Sequence, residues 1–596
     1  MLLRLKQVCL FILSASIVCP SVVAPQAPPS QAQEGTVLRS TTRLVQVSVV
    51  VQDGKGQPIM GLKPEDFAVY DEGKQQNISA FSSETPAPEE KSQPLPFNVF
   101  TNRFERLGQR PSTATAVLFD ALNTQPQDQS RVRLQILKFL QQLRPEDRVA
   151  IYALTTKLEI LQDFTQDSTT LANAVQKFLP KSTSALDAST VELVDLVGMT
   201  GNPYWGDLQN AINRSNAIIS DRKTANRVEM TTAAFIAIGN HLSSVSGRKN
   251  LIWVSGGFPF QLGLADLTNS SAASLASLSP PMPAGAPAQA STGGGTAGTT
   301  PGRPDDGALN PIQRESGTFR EAILRAARTL SRANIAVYPV DARGVVVEGT
   351  MDPTERSTSN HAGNEEFFSR RNNWDTLNET ADQTGGIAFY GSNDITNAMR
   401  KAADDGRYAY TLGFYPTGAK WNGKFHELKV KVNASGAKLR YRRGYYAGSE
   451  GEESAPIAKQ EIDDAAVSPL ESTALGLLVS AIPVQPAAER KVSLQVGLDT
   501  LQLSLMDEGG HRKGSIDLLF LQRDAQGGAL KAEEKRIGFD FNEEQYKALV
   551  KSGIILQKSV VAERNATEIR VVARDPASGA TGTVTVPLSK LLETAK

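Results

Sequence analysis

An apolar run, Thr115-Ala-Val-Leu-Phe119, ends at Asp120, and Asn123 and Thr124 follow within four residues. Such a run, without polar alternation, reads as a strand covered on both faces. Open α/β sheets hold their ligand sites beyond the carboxyl ends of strands like this one. Further along, Thr231 and Thr232 read as the opening of a helix. Carboxylate, amide and hydroxyl oxygens gathered there suit a hard cation such as Mg2+, and a helix N-terminus suits an anion or a partner's carboxylate. The plainer reading is that Asp120 and Asn123 hydrogen-bond and cap the loop after the strand, a common use of these side chains.

Other reactive patterns are weaker. Ser255, in Val254-Ser-Gly-Gly257, ends a second apolar run and offers a hydroxyl, but the GxSxG pattern is missing and no histidine follows in a recognisable role. The four histidines, His241, His361, His426 and His511, show neither HExxH nor a paired-ligand spacing. His241 reads as a surface or packing residue. Gly293-Gly-Gly295 lacks the Lys-Ser/Thr of a phosphate cradle. Tyr441-Arg-Arg-Gly-Tyr-Tyr446 mixes bases with aromatics, yet reads as strand alternation rather than a nucleic-acid patch. With 63 basic and 63 acidic side chains, no long-range field draws the chain toward nucleic acid or an acidic membrane. The expectation is a non-enzyme without a required cofactor, Mg2+ being the one ion the oxygen donors would suit. Trp374 and Phe367-Phe368 are candidates for a contact surface.

The first residues bear on where such binding would occur. Arg4 and Lys6 precede an apolar stretch from Val8 to Val18, then Pro20 and small residues at Ala24, Ala27 and Ala32. That is a secretory signal layout, too short for the roughly 20 residues of a spanning helix. Both cysteines, Cys9 and Cys19, lie inside it. Cleavage therefore leaves a mature chain with no thiol, expected in the periplasm or outside the cell. No later stretch is apolar enough to span a bilayer.

The elements that must position these side chains fall into modules. Residues 1–32 are signal and linker. Residues 40–83 read as a small antiparallel β module, from the alternation in VQVSVVV and the turns at Asp53-Gly-Lys-Gly56 and Asp71-Glu-Gly73. Residues 97–407 alternate strand and helix, with strands at 115–119, 148–154, 251–254 and 335–340, the pattern of a mostly parallel α/β sheet. Within it, residues 270–305 are Ser, Ala, Pro, Gly and Thr with almost nothing to bury, and read as a disordered loop. Residues 408–447 read as a β-meander packed on the α/β domain, its first run a candidate for the last strand of the main sheet. A Gly/Glu/Ser linker near 447–456 leads to residues 472–590, whose short strands favour a β-sandwich with one helix at Asn542–Leu549.

At this point the chain resembles a known family. The central part is similar to a von Willebrand factor type A domain. The ordered segments TTRLVQVSVVVQDGKGQPIMGLKPEDFAVYDEGKQQ, LFDALNT, GRKNLIWVSGGFP, NIAVYPVDARG, TGGIAFY, FHELKVKV and RRGYYA resemble the acidobacterial secreted group related to it, over residues 41–447. The resemblance implies a Rossmann-type central sheet and, in metal-binding members, a Mg2+ adhesion site. Carried over, Asp120 matches its first aspartate, Thr124 its second hydroxyl and Thr232 its second-loop threonine. Leu122 stands where a serine is expected and Gly256 where the final aspartate is expected. One carboxylate with one or two hydroxyls would hold Mg2+ weakly. The expected function is therefore a non-catalytic exported binding or scaffold protein with a degenerate adhesion site, engaging a protein or surface polymer through loops after Phe119 and Val254. A Mg2+-dependent adhesion module and an extracytoplasmic hydrolase are the alternatives.

Overall fold

The computed structural model describes residues 44–83, 95–104, 114–179, 222–223, 225–245, 247–257, 311–345, 374–417, 424–447, 455–485 and 489–592. The signal-type segment 1–32, the loop 270–305 and Phe367-Phe368 lie outside the described residues. What is described is a mixed α/β chain with one largely parallel sheet and several antiparallel ones.

The first strands are β1 (Val45–Gln52), β2 (Phe67–Asp71), β3 (Lys74–Gln76) and β4 (Ile78–Ser83). Glu72 and Gly73 join β2 to β3 with φ of 48° and 78°, the pair of left-handed residues that a two-residue hairpin turn requires. A short strand, β5 (Val99–Thr101), follows.

The middle of the chain builds a five-stranded sheet from β6 (Ala114–Asp120), β7 (Arg148–Leu154), β8 (Leu158–Thr165), β9 (Lys249–Ser255) and β10 (Ile335–Asp341), in the order β10-β9-β6-β7-β8. The pairs β10–β9, β9–β6 and β6–β7 are parallel, and β8 runs antiparallel to β7 at the edge. Successive side chains alternate between faces. Leu118, Tyr152, Trp253 and Val337 meet one helical layer, which includes α3 (residues 225–241) and α4 (Pro311–Arg332). Phe119, Ile151, Val254 and Tyr338 meet the other, built from α1 (Pro126–Leu140), α2 (Ser168–Lys177) and α6 (Ile395–Asp405). A further helix, α5 (residues 374–384), adds Leu377 and Ala381 to the first layer. Two covered faces explain why these strands carry no polar alternation.

The run after Tyr408 does not close this sheet. It forms β11 (Ala409–Phe414), which pairs antiparallel with both β1 and β4. Likewise β12 (Phe425–Val432) pairs with β2 and with β14 (Gly444–Tyr446), while β13 (Lys438–Arg440) pairs with β1. Residues 45–83 and 409–446 thus interleave in two sheets, β13-β1-β11-β4 and β14-β12-β2-β3, around Val47, Val49, Val69, Leu412, Phe414 and Val430. Arg440 ties this unit to the central layer through a bidentate pair with Asp405 at 2.6 and 2.8 Å. Asp405 also accepts the Tyr338 hydroxyl at 3.0 Å, and burial pushes that hydroxyl up to about 12, so it stays a neutral donor.

Beyond Ala447 the described chain resumes in a helix, α7 (Ala455–Val467), between the linker expected near 447–456 and the strands expected from 472. Then come β15 (Leu477–Val484), β16 (Lys491–Leu498), β17 (Met506–Glu508), β18 (His511–Arg523), β19 (Ala529–Asn542), β20 (Ile554–Val561), β21 (Glu568–Arg574) and β22 (Thr581–Pro587), with α8 (Glu543–Ser552) capped by Asn542 and α9 (Leu588–Leu592) at the end. Two antiparallel sheets result, one of which takes in β5 beside β15. They share one apolar core that includes Leu477, Val496, Ile516, Phe520 and Val571.

Candidate functional site at the strand ends

The parallel register sets Asp120, Ser255 and Asp341 level with one another at the carboxyl ends of β6, β9 and β10. Asp120 is fully buried. Burial raises its pKa, and hydrogen bonds from Asn123, Trp253 and Ser255 oppose that rise. Its Oδ1 accepts the Asn123 amide at 3.0 Å. Its Oδ2 accepts Asn123 Nδ2 at 2.8 Å, Trp253 Nε1 at 2.9 Å and the Ser255 hydroxyl at 2.9 Å.

Asn123 passes the interaction on. Its Oδ1 accepts Arg227 Nε at 2.8 Å, and its Nδ2 also reaches Thr231 Oγ1 at 3.0 Å. Arg227 is itself held down from the usual arginine range by burial, and the Asp120 charge pulls it back up. A buried carboxylate is costly unless a cation or donors compensate it. Here the compensation runs through an amide to a guanidinium.

Thr124 is engaged as well. Its hydroxyl donates to the Asp120 carbonyl at 2.6 Å and accepts the Gly256 amide at 2.9 Å. Leu122 is packed inward with the β6 and β7 core, its amide bonded to the Leu154 carbonyl. At Gly256 there is no space for a side chain, because a Cβ would stand 2.7 Å from the Asn123 carbonyl oxygen and 3.1 Å from Thr124 Cα.

The structure therefore brings together Asp120, Asn123, Thr124 and Ser255 from the sequence expectation. Thr232 it does not. The expected helix opening at Thr231 and Thr232 is corrected: α3 is already helical at residue 225. The Thr232 hydroxyl turns back onto the Val228 and Glu229 carbonyls at 2.9 and 3.0 Å, a mid-helix habit of threonine, and Thr231 is the residue that reaches the site. Arg227 and Trp253 belong to the site and carry no sequence signal for it. Trp253 reads only as one more apolar residue of its strand.

Beside this cluster, Asp341 accepts Arg343 through both carboxylate oxygens at 2.9 Å and Trp374 Nε1 at 2.9 Å. Trp374 stacks on Tyr390 with ring centroids 5.1 Å apart, so it is a fixed and half-buried residue. His241 is buried, with Nδ1 2.8 Å from the Glu471 carbonyl and its ring edge-on to Phe104. Among the described residues, no histidine hydrogen-bonds Ser255.

No protein-family model and no curated protein matches the chain. Among solved structures, the chain is similar to an aerotolerance-related membrane protein from Bacteroides fragilis, at 12% identity over 49% of this chain and 98% of that one, with a TM-score of 0.22. A mutant of the PilB minor pilin from Streptococcus sanguinis is 12% identical over 49% of this chain and 60% of that one, with a TM-score of 0.23. Three N-terminal domains of the type V pili tip protein Mfa5 from Porphyromonas gingivalis are 10% identical over 93% of this chain and 98% of that one, with a TM-score of 0.21. Scores of this size do not establish a shared fold.

Proposed function

We propose that this is a non-catalytic exported binding or scaffold protein, built on a von Willebrand factor type A-related domain whose metal-dependent adhesion site is degenerate. The observation that carries this reading is the state of Asp120. Its carboxylate accepts four hydrogen bonds, and the hydroxyls of Thr124 and Ser255 are already committed beside it. A Mg2+ ion needs near-octahedral oxygen ligation, and binding one here would cost several of those bonds. Ser255 is buried and its hydroxyl donates to a carboxylate oxygen that two other donors share, which argues against a role as an accessible nucleophile.

The mostly parallel order with helices on both faces and Asp120 at the end of a middle strand supports the von Willebrand reading, and the order of the sequence segments supports kinship with the acidobacterial group. Two antiparallel sheets around one core support a C-terminal β-sandwich. Export rests on Arg4, Lys6 and the run Val8–Val18, and no described helix is long and apolar enough to cross a membrane. The partner class that fits is a protein or surface polymer outside the cytoplasm.

Affinity capture from cell-envelope extract, with the full chain as bait and with or without added Mg2+, tests the reading. The expected result is the same partner set in both buffers. Partners retained only with Mg2+ would make it a cation-dependent adhesion module, and no partner together with turnover of a peptide, ester or glycan panel would make it a hydrolase.

A further inference from the structure

A second polar cluster lies outside the central sheet, in the unit formed by the first and last strands of residues 45–446. Asp71 ends β2, Glu72 begins the tight turn after it, and His426 lies on β12. One ligand atom from each falls within 4.8 Å of the others. Asp71 is buried, His426 half-buried and Glu72 exposed.

Each carboxylate has one oxygen oriented by a neutral donor. The Tyr445 hydroxyl donates to Asp71 Oδ2 at 2.9 Å. The Glu427 amide donates to Glu72 Oε1 at 2.7 Å. The second oxygen of Glu72 has no hydrogen-bond partner among the described residues. Asp71 Oδ1 faces His426 Nδ1 at 3.1 Å. Tyr445 has a single hydroxyl proton and gives it to Asp71, so the 3.3 Å approach of its oxygen to Nδ1 brings no donor. With a proton on Nδ1 this contact is an ordinary hydrogen bond; in the other tautomer two lone pairs face each other and a cation can take the proton's place. With ligand bonds of about 2.0–2.2 Å, an edge of roughly 3 Å is what a shared metal ion would impose.

We propose that Asp71, Glu72 and His426 bind one divalent transition cation of the Zn2+ class, with water completing its shell. An imidazole nitrogen beside carboxylate oxygens favours Zn2+ over Mg2+ or Ca2+, and the Tyr445 and Glu427 donors are the outer partners that fix ligand orientation in such sites. The cation would join residues 355 positions apart in sequence, clamping the β2–β3 turn to β12 in a chain whose cysteines, Cys9 and Cys19, both lie near its start. A ligand that binds only the folded state stabilises it by mass action.

The test is calorimetric titration of Zn2+, with Mn2+ and Mg2+ in parallel, into the tag-free full chain after chelator dialysis, joined to thermal unfolding with and without Zn2+. One saturable Zn2+ site is expected, with a higher Tm when it is filled. Glu72→Gln, a change at an exposed side chain, and His426→Gln each remove one of three protein ligands and should each abolish saturable binding and the Tm rise. His511→Gln, at the exposed pair with Asp540, should change nothing. Absence of saturable Zn2+ binding, or binding that survives Glu72→Gln unchanged or is lost in His511→Gln, would overturn the assignment.

Discussion

At Asp120 a buried negative charge is compensated through Asn123 to Arg227, and the backbone around it is closely fitted. Gly256 marks how closely. An alanine there puts its Cβ 2.7 Å from a carbonyl oxygen that belongs to the facing loop, and the neighbour is backbone, which cannot swing aside. Gly256→Ala should therefore cost about 1–3 kcal/mol, the usual range for overpacking, measured by denaturant unfolding. Unchanged stability would mean that the two loops are looser than described. Asp120, Asn123, Thr124 and Ser255 are legible in sequence because each ends or follows an apolar run that announces a strand. Arg227 is not, since it precedes the residues that look like the start of its helix. Asp71 and His426 are not either, because nothing in linear spacing joins residues so far apart.

Helices and strands are legible where burial is one-sided or complete. The runs 115–119, 148–154, 251–254 and 335–340 match β6, β7, β9 and β10, and Asn542 caps α8 close to where its helix is expected. The edge strand β8 escapes because only Leu158 and Phe164 of its eight residues are buried. The helix α7 escapes because it falls mostly between the linker expected near 447–456 and the strands expected from 472, and its apolar residues are mostly alanine. One ion-pair group holds elements together in a way that pH can report. Asp147, between α1 and β7, pairs with Arg400 of α6 at 2.9 Å and with Arg407 just beyond that helix. Burial opposes its ionisation, but the Arg400 bond, the Arg144 amide and Arg407 outweigh it and hold its carboxyl below the usual 3.8. A depressed folded pKa contributes stability that is present above 3.8 and lost as pH falls through the lower folded value. Asp147→Asn removes the carboxylate that two largely buried guanidinium groups share, leaving Arg400 with Asp404 and Arg407 with Glu146, a change that should cost about 1.5–3 kcal/mol. The stability gap to the parent should be full at neutral pH and close in strong acid. A gap that stays constant down the acid limb would refute the pairing.

For the molecule as a whole, linear reading divides the chain into successive modules, whereas the fold threads them through one another. β1, β2 and β4 pair with strands more than 300 residues later, and β5, ahead of the central sheet, adds to a C-terminal sheet. Thr473 and Glu471 also bond to the α3 end at Asn240, His241 and Ser244. Such pairings depend on tertiary closure and leave no local trace in sequence. They also mean that a piece ending at 447 would strip β5 of its partner strand and the α3 end of its bonds to Glu471 and Thr473, so tests of the strand-end site belong on the full chain. The most direct is calorimetric titration of Mg2+ into that chain alongside its Asp120→Ala variant. We expect no saturable Mg2+ binding that depends on Asp120, because four protein donors already share its carboxylate and an ion would have to displace several of them. Micromolar Mg2+ binding that disappears in Asp120→Ala would show the site to be a working cation site and overturn that conclusion.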